Sequence, residues 1–149
     1  EFINDTTELR NTNYNIFEYQ DRDTLRLGVP FKATAQMFTR VLEKYDSEVF
    51  LVLAKENANF NYDFSNLGEV KLDTFYNAQK DTLNRRMFNP EFYEESVAFW
   101  QEFDKAGPKI LRGYIMELTD KYPIAKDSFA TAGYRVLFER KIYVKDTID

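Results

Sequence analysis

This chain has no cysteine and no histidine among its 149 residues, so its fold has to depend on a hydrophobic core. Disulfide bonds and the common cysteine and histidine zinc sites are excluded by residue type. A domain of this length buries about 68–70% of the surface that its extended chain exposes. The side chains suit such a core, because 44% of the residues are hydrophobic, including 14 Phe, 10 Tyr and one Trp. We therefore expect one ordered domain.

The same two missing residue types restrict the possible chemistry. Histidine is the usual general base near pH 7, and cysteine supplies the thiolate nucleophile. The sequence also contains no P-loop, no G-x-G-x-x-G, no G-x-S-x-G, no S-x-x-K and no calcium-loop motif. These features favour a non-catalytic function over an enzyme, and they predict no catalytic residue, no cofactor and no metal site.

The charge balance limits the class of partner. The chain has 25 acidic and 20 basic residues, a formal net charge of −5. Nucleic-acid binding depends on cationic side chains that neutralise phosphates, so a nucleic-acid partner is disfavoured. No apolar run approaches the roughly 20 residues of a membrane span, and the N-terminus lacks the pattern of a signal peptide. We expect a soluble protein, with a cytoplasmic location favoured over secretion.

Charge also suggests how the chain is divided. Residues 1–24 contain six acidic side chains and two arginines, a local charge of −4, and include a turn-like stretch at 12–15. This composition predicts an acidic polar arm that is partly extended. Residues 25–149 contain no linker rich in Pro, Gly or Ser, so they are predicted to form a single compact domain.

Hydrophobic spacing of three and four residues predicts about four helices. Asn89-Pro90-Glu91 is the clearest start signal, because it supplies a cap, a first-turn proline and an early acid in the favoured order. Pro123 is predicted to end the last helix. The predicted helices span residues 30–45, 74–88, 90–105 and 108–122.

Other segments have the pattern of strands. Residues 48–54 are a continuous apolar run, and residues 59–64 alternate between polar and aromatic side chains. Residues 134–145 also alternate, although Arg140 interrupts the apolar parity, which suggests a bulge or a solvent-reaching end. The predicted strands lie near 48–54, 59–64, 69–73 and 134–145. The expected fold class is α+β, with a small, mainly antiparallel or mixed sheet packed by the helices.

Two groups of candidate binding residues come from the middle of the chain. The aromatic side chains of Phe60, Tyr62 and Phe64 would form a stacking platform for sugar rings or bases, or would simply pack in the core. Arg85 and Arg86 would bind an anion, or would complement the dipole of the predicted helix that they end.

Two further groups are charged. Glu91, Glu94 and Glu95, with Glu102 and Asp104 downstream, are the densest group of carboxylates, and a solvated helix face is the alternative explanation. Arg140 and Lys141 belong to a basic C-terminal segment. This segment could pair electrostatically with acidic segments of the same chain or of another copy.

Three functional hypotheses follow. The leading one is a non-catalytic protein-interaction or structural subunit, which contacts a protein partner or itself through an aromatic-rich, charge-segregated surface. The alternative is a carboxylate-based hydrolase or a carbohydrate-binding module, which requires a concave pocket containing two carboxylates from different elements. A further alternative is an acidic inhibitor protein that imitates nucleic acid. It requires the acidic arm and the acidic helix face to form one surface.

Overall fold

The protein is predominantly β. The computed structural model describes residues 2–3, 14–18, 24–55, 65–66, 68 and 70–146, with 2–3 and 14–18 described as backbone only. The strands are β1 (Phe2–Ile3), β2 (Tyr14–Glu18), β3 (Thr24–Arg26), β4 (Phe31–Met37), β5 (Glu48–Ala54), β6 (Leu72–Tyr76), β7 (Ser96–Gln101), β8 (Gly107–Ala125) and β9 (Ser128–Lys145). The helices in this part of the chain are short 3₁₀ segments, Glu43–Tyr45, Arg85–Met87 and Pro90–Glu95.

The strands form two sheets. The larger sheet is mixed and has the order β1-β9-β8-β5-β6, with β3 also paired to β9. Strands β1 and β3 run parallel to β9, and the other pairs are antiparallel. The smaller sheet is antiparallel with the order β2-β4-β7. A single bridge between Asn77 and Val97 connects the end of β6 to the start of β7.

A long hairpin of β8 and β9 runs through the larger sheet. The two strands have 19 and 18 residues and are joined at a tight turn in which Asp127 has a φ of 61°. Asp tolerates this left-handed conformation better than most residues. The pairing shifts register near Pro123, so the strand continues past this proline through an irregularity instead of ending there.

The main core lies between the two sheets. It combines inward side chains of β4 and β7 with those of β5, β8 and β9. Phe99 is central, because its ring lies 6.4 Å from the ring of Phe31 and 5.8 Å from that of Phe138. Each ring buries a large apolar area, so this aromatic group is a major source of stability.

A second apolar cluster covers the opposite face of the larger sheet. It contains Val52, Ala54, Tyr114, Met116 and Leu137, all of them buried. Strands β5, β8 and β9 are therefore apolar on both faces. A strand buried on both faces has a nearly continuous hydrophobic sequence and not a clean alternation.

The α+β prediction with four packing helices is wrong. Segment 30–45 contains strand β4 and a 3₁₀ turn, and segment 74–88 contains most of β6, a turn and a 3₁₀ turn. Segment 90–105 has only a six-residue 3₁₀ helix before β7, and segment 108–122 lies within β8. Apolar residues four positions apart share a face in a helix and also in a strand, so the spacing did not separate the two.

Two of the four predicted strands agree with the structure. The segment 48–54 is β5 with the same bounds, and 134–145 falls within β9. The segment 69–73 is displaced, since β6 begins at Leu72. The predicted strand 59–64 lies outside the described residues. In the described part of the chain, no helix is long and apolar enough to cross a lipid bilayer.

Candidate functional site

The candidate site is a cleft where the two sheets separate, and we call it the β6–β7 cleft. Strand β6 is the last strand of the larger sheet, and β7 is the last strand of the smaller one. The Asn77–Val97 bridge holds the two strands together at one end. Beyond this bridge β6 and β7 belong to separate sheets, and the space between them opens toward Asp73 and Glu102.

Asn77 fixes the closed end of the cleft. Its side chain is buried, and its Nδ2 donates to the carbonyl of Val49 at 2.9 Å. Its Oδ1 accepts from the backbone N–H groups of Gln79 at 3.0 Å and Lys80 at 3.3 Å. Because a buried amide is costly when its hydrogen bonds are lost, Asn77 holds both the turn after β6 and the position of β6 on β5.

The cleft has a volume of about 610 Å³ and is lined from both sides. Its walls combine aromatic, amide, hydroxyl and charged groups, which is typical of ligand sites with a few orienting polar contacts. The lining residues are Lys55, Asp73, Thr74 and Phe75 on the β6 side and Trp100, Gln101, Glu102 and Asp104 on the β7 side.

Two aromatic rings meet across the cleft. The rings of Phe75 and Trp100 are 4.8 Å apart at an interplanar angle of 70°, an edge-to-face contact. Phe75 also lies 6.4 Å from the core ring of Phe99. Trp100 is the only tryptophan in the chain, and it is 44% exposed. The cleft therefore presents a large aromatic surface that is anchored on the core.

The rim of the cleft is acidic. One lysine and three carboxylates line it, which leaves a formal charge of −2. The Lys55 Nζ lies 3.2 Å from Asp73 Oδ1, and both side chains are about half exposed, so this ion pair contributes little to stability. The other two carboxylates, Glu102 and Asp104, lie on the β7 side beside Trp100.

The candidate binding residues that the sequence indicates lie in several separate parts of the fold. Phe60, Tyr62 and Phe64 lie outside the described residues. Arg85 binds backbone, because its Nε donates to the carbonyl of Ala78 and its Nη2 to that of Gln79, and its guanidinium lies 5.3 Å from the Tyr93 ring. Arg86 is exposed beside it.

The remaining charged candidates are also spread over the fold. Glu91 is exposed at the start of a 3₁₀ helix, where its backbone N–H donates to the side chain of Asn89. The Arg140 guanidinium lies 5.9 Å from the Phe31 ring, and burial lowers the pKa of this arginine. The register of β8 with β9 is continuous at Arg140, and Lys141 next to it is exposed. The binding role of these residues stays a prediction.

Glu94 and Glu95 approach a buried arginine that the sequence pattern does not indicate. The Nη1 of Arg40 lies 3.4 Å from Glu43 Oε2, 3.4 Å from Glu94 Oε1 and 3.7 Å from Glu95 Oε2. The Arg40 side chain is only 5% exposed, and its Nε donates to Glu117 Oε2 at 3.2 Å. Three carboxylates thus lie near Nη1 of the Arg40 guanidinium, and a fourth, that of Glu117, accepts from its Nε.

Glu117 is the buried partner in this ion-pair network. Its side chain is 0% exposed. Its Oε1 accepts from the backbone N–H groups of Val41 and Leu42, and its Oε2 accepts from the Ser47 hydroxyl at 2.5 Å. The Nη2 of Arg40 in turn donates to the Ser47 carbonyl at 2.9 Å. We interpret this network as structural, because it ties the connection between β4 and β5 to strand β8 through Glu117 and to the 3₁₀ helix Pro90–Glu95 through Glu94 and Glu95.

The network makes a prediction about pH. Burial raises the pKa of Glu95, Arg40 lowers it, and the neighbouring carboxylates Glu43 and Glu94 raise it further, with a net upward shift. The folded state therefore binds the carboxyl proton of Glu95 more tightly than the unfolded state does. The stability that this proton contributes is fully present below the pKa of Glu95 in the unfolded chain, and it is lost as the pH rises through the raised pKa of the folded state. Glu95→Gln should raise the free energy of unfolding at pH 7, and this advantage should shrink as the pH falls through the raised pKa of Glu95 and be lost below its ordinary value of 4.5.

Urea denaturation of the wild type and of Glu95→Gln at pH 7 and pH 4 measures this difference. Glu91→Gln removes an exposed carboxylate from the same 3₁₀ helix and serves as the control. An advantage of Glu95→Gln that is the same at both pH values would contradict the prediction.

The β6–β7 cleft is only partly visible in the sequence. The helical spacing places Glu102 and Asp104 on an acidic helix face and Trp100 on an apolar one, and Asp73 has the position of a helix cap. The available signal is the short apolar run Val97-Ala98-Phe99-Trp100-Gln101, which is rich in β-forming residues. Interpreted as a strand, this run places Trp100 and Phe99 on opposite faces.

Comparison with known proteins assigns no family. No protein-family model matches the chain, and no curated protein matches it.

Proposed function

We propose that this chain is a non-catalytic binding domain that receives an extended segment of a protein partner in the β6–β7 cleft. The observation that carries the proposal is the position of the half-exposed Trp100 between two sheet edges. Tryptophan, with tyrosine and arginine, is enriched among the residues that dominate binding energy at protein interfaces.

The sheet edges favour a polypeptide as the ligand. Among the described residues, β6 has β5 as its only ladder partner and β7 has β4. The far edge of such a strand presents backbone N–H and C=O groups along its length. An extended segment can pair with these groups while its side chains enter the aromatic part of the cleft.

The carbohydrate alternative also has support from the cleft. Asp73 comes from β6, while Glu102 and Asp104 follow β7, so carboxylates from different elements line one concave space beside an exposed tryptophan. A hydrolase or a carbohydrate-binding module requires such an arrangement. We rank it second because a sugar ring does not use the backbone groups of the two sheet edges.

Peptide display tests the proposal because it does not require the identity of the partner. Random linear 12-residue peptides would be selected on the wild type and measured by fluorescence anisotropy on the wild type, on Trp100→Ala and on Phe129→Ala. Phe129 is a matched control, because it is a 61% exposed aromatic residue near the far end of the hairpin. Loss of a central tryptophan should weaken binding by about 30-fold or more.

The outcomes separate the two candidates. Selected peptides that bind the wild type and Phe129→Ala equally, but bind Trp100→Ala at least about 30-fold more weakly, support the proposal. Peptides that bind Trp100→Ala as tightly as the wild type, or a failure to select any peptide, overturn it. Binding of oligosaccharides on a glycan array that depends on Trp100, without any peptide binding, overturns it in favour of the carbohydrate alternative.

A further inference from the structure

The backbone hydrogen bonds of β6 determine which of its groups face the β6–β7 cleft. In an antiparallel ladder, hydrogen-bonded and non-hydrogen-bonded residue pairs alternate. Next to the end of β5, the backbone N–H of Lys55 donates to the carbonyl of Lys71 at 3.0 Å. Counted from this pair along the register of β5 with β6, the odd-numbered residues of β6 direct their N–H and C=O groups toward β5. The N–H and C=O groups of Leu72 and Thr74 therefore point to the other edge of β6, which faces the cleft.

A side-chain hydrogen bond supports the same alternation. Continuing the register of β5 with β6 places Val49 opposite Asn77, which is also an odd-numbered position. The carbonyl of Val49 points to the β6 side, because it accepts from Asn77 Nδ2 at 2.9 Å. Odd-numbered residues of β5 and β6 thus face each other at both ends of this ladder.

The backbone of β7 faces the same cleft at Trp100. Beside the bridge that closes the cleft, the N–H of Ala78 donates to the carbonyl of Ser96 at 2.8 Å. Alternate residues of a strand face the same neighbour, so Trp100, two alternations after Ser96, also directs its N–H and C=O toward β6. Continuing the register of the bridge would place Trp100 opposite Thr74, but among the described residues β6 and β7 form no ladder there. The cleft is therefore lined by two strand edges that are in register and not paired with each other.

Strand β6 offers more of this open edge than β7 does. Leu72 and Thr74 both lie within β6, and each has one backbone donor and one backbone acceptor. Thr74 is exposed and Leu72 is half-buried, so solvent reaches this edge. Strand β7 ends at Gln101, so beyond the residues that flank the bridge only Trp100 directs its backbone toward the cleft. The β6 edge is therefore the better template for an added strand, and Trp100 adds a large exposed side chain.

We infer that the segment bound in the β6–β7 cleft is the next strand of the larger sheet, paired with the backbone of Leu72 and Thr74 and with a side chain against Trp100. This inference rests on the proposed function and specifies how the ligand is recognised. Backbone pairing supplies affinity without selecting residue types, and side-chain contacts supply specificity. The partner is therefore an extended segment without proline at the residues that pair with β6, because proline has no N–H to donate.

N-methylation of the ligand backbone tests this inference without changing the protein. Each residue of a display-selected peptide would be N-methylated in turn, and its binding to the wild type measured by fluorescence anisotropy. Alternate residues of the bound strand face β6, and each loses its donor when it is methylated. We expect binding at least about tenfold weaker at two positions that are two residues apart, and less than about twofold weaker at the residue between them.

Protein variants at position 74 test the same edge from the other side. Thr74→Pro removes a backbone N–H that faces the cleft and leaves the hydrogen bonds between β5 and β6 intact, and an edge strand tolerates proline at such a position. Thr74→Val keeps the N–H and the branched shape of the side chain, so it is the matched control. We expect Thr74→Pro to bind the selected peptides at least about fivefold more weakly and Thr74→Val to bind them like the wild type. Far-UV circular dichroism checks the fold of both variants, and the N-methylation scan decides if Thr74→Pro does not fold.

The failures of the two proposals are distinguishable. If the selected peptides depend on Trp100 but their N-methylation shows no two-residue alternation, or if they bind a folded Thr74→Pro as tightly as the wild type, the added-strand inference is overturned and the proposed function stands. If no selected peptide depends on Trp100, both are overturned.

Discussion

Replacing Gly113 by alanine should lower the free energy of unfolding by about 3 kcal/mol or more, at the upper end of the range for overpacked interiors. Gly113 lies in the middle of β8, paired with Leu53 of β5 and Phe138 of β9. A Cβ atom added there would overlap the backbone carbonyl oxygen of Val52 and lie 3.1 Å from Phe138 Cζ. Backbone cannot rotate away as a side chain can, so β5 and β8 would have to separate.

Urea denaturation followed by far-UV circular dichroism measures this loss. Gly68→Ala is the matched control, because a Cβ atom at Gly68 would meet no atom within 4 Å. This control should change the free energy of unfolding by no more than about 0.5 kcal/mol. Equal stabilities of Gly113→Ala and Gly68→Ala would contradict the close approach of β5 and β8.

Arg40→Met should cost about 3–5 kcal/mol of stability, the range for breaking one side of a buried ion pair. The variant keeps most of the apolar stem of Arg40 but leaves the fully buried carboxylate of Glu117 without its cation. It also removes the hydrogen bond from Arg40 to the Ser47 carbonyl, which holds the connection into β5.

A double-mutant cycle with Glu117→Leu measures the interaction energy between Arg40 and Glu117. Arg40→Met combined with Glu117→Leu should be no less stable than Arg40→Met alone, since the uncompensated charge is gone. The amides of Val41 and Leu42 lose their acceptor in the double variant, so it should not regain wild-type stability. The coupling energy should exceed about 1 kcal/mol, and simple additivity of the two substitutions would contradict a direct interaction between Arg40 and Glu117.

The two strands of the hairpin show what the sequence pattern could and could not indicate. In β9 the inward residues Tyr134, Val136, Phe138, Ile142 and Val144 alternate with residues that are mostly polar, so a strand is predicted there correctly. In β8 the inward residues Leu111 and Ile115 are interleaved with Tyr114 and Met116, which are buried on the opposite face. Burial on both faces produced spacings of three and four residues, and these imitate a helix.

Buried polar residues were a second reason for the wrong helices. Glu117 lies at an inward position of β8, and a lone glutamate gives no indication of burial. Its partner Arg40 lies 77 residues earlier in the chain, so only the fold brings the two together. The capping signal at Asn89-Pro90 did predict a helix start at Pro90, but it did not indicate that this helix would be a short 3₁₀ segment.

The β6–β7 cleft depends on the topology in the same way. Glu102 and Asp104 stand out in the sequence as part of an acidic cluster, but nothing local indicates that Asp73 and Phe75 lie across from them. This proximity results from the Asn77–Val97 bridge, which joins the edges of two sheets. Long-range pairing of strand edges is not encoded in a short stretch of sequence, and the strand alternation around Trp100 shows only that its side chain lies on the face opposite that of Phe99.

Amide NMR of the full chain shows directly whether the β6–β7 cleft receives the partner. A ¹⁵N-labelled sample would be titrated with a display-selected peptide, and the shift changes mapped on the strands. We expect the largest changes on Asp73, Thr74 and Phe75 and on Trp100, Gln101 and Glu102, with the indole N–H of Trp100 among them. Largest changes at the hairpin end, residues 120–131, with the signals of the cleft unmoved, would contradict it.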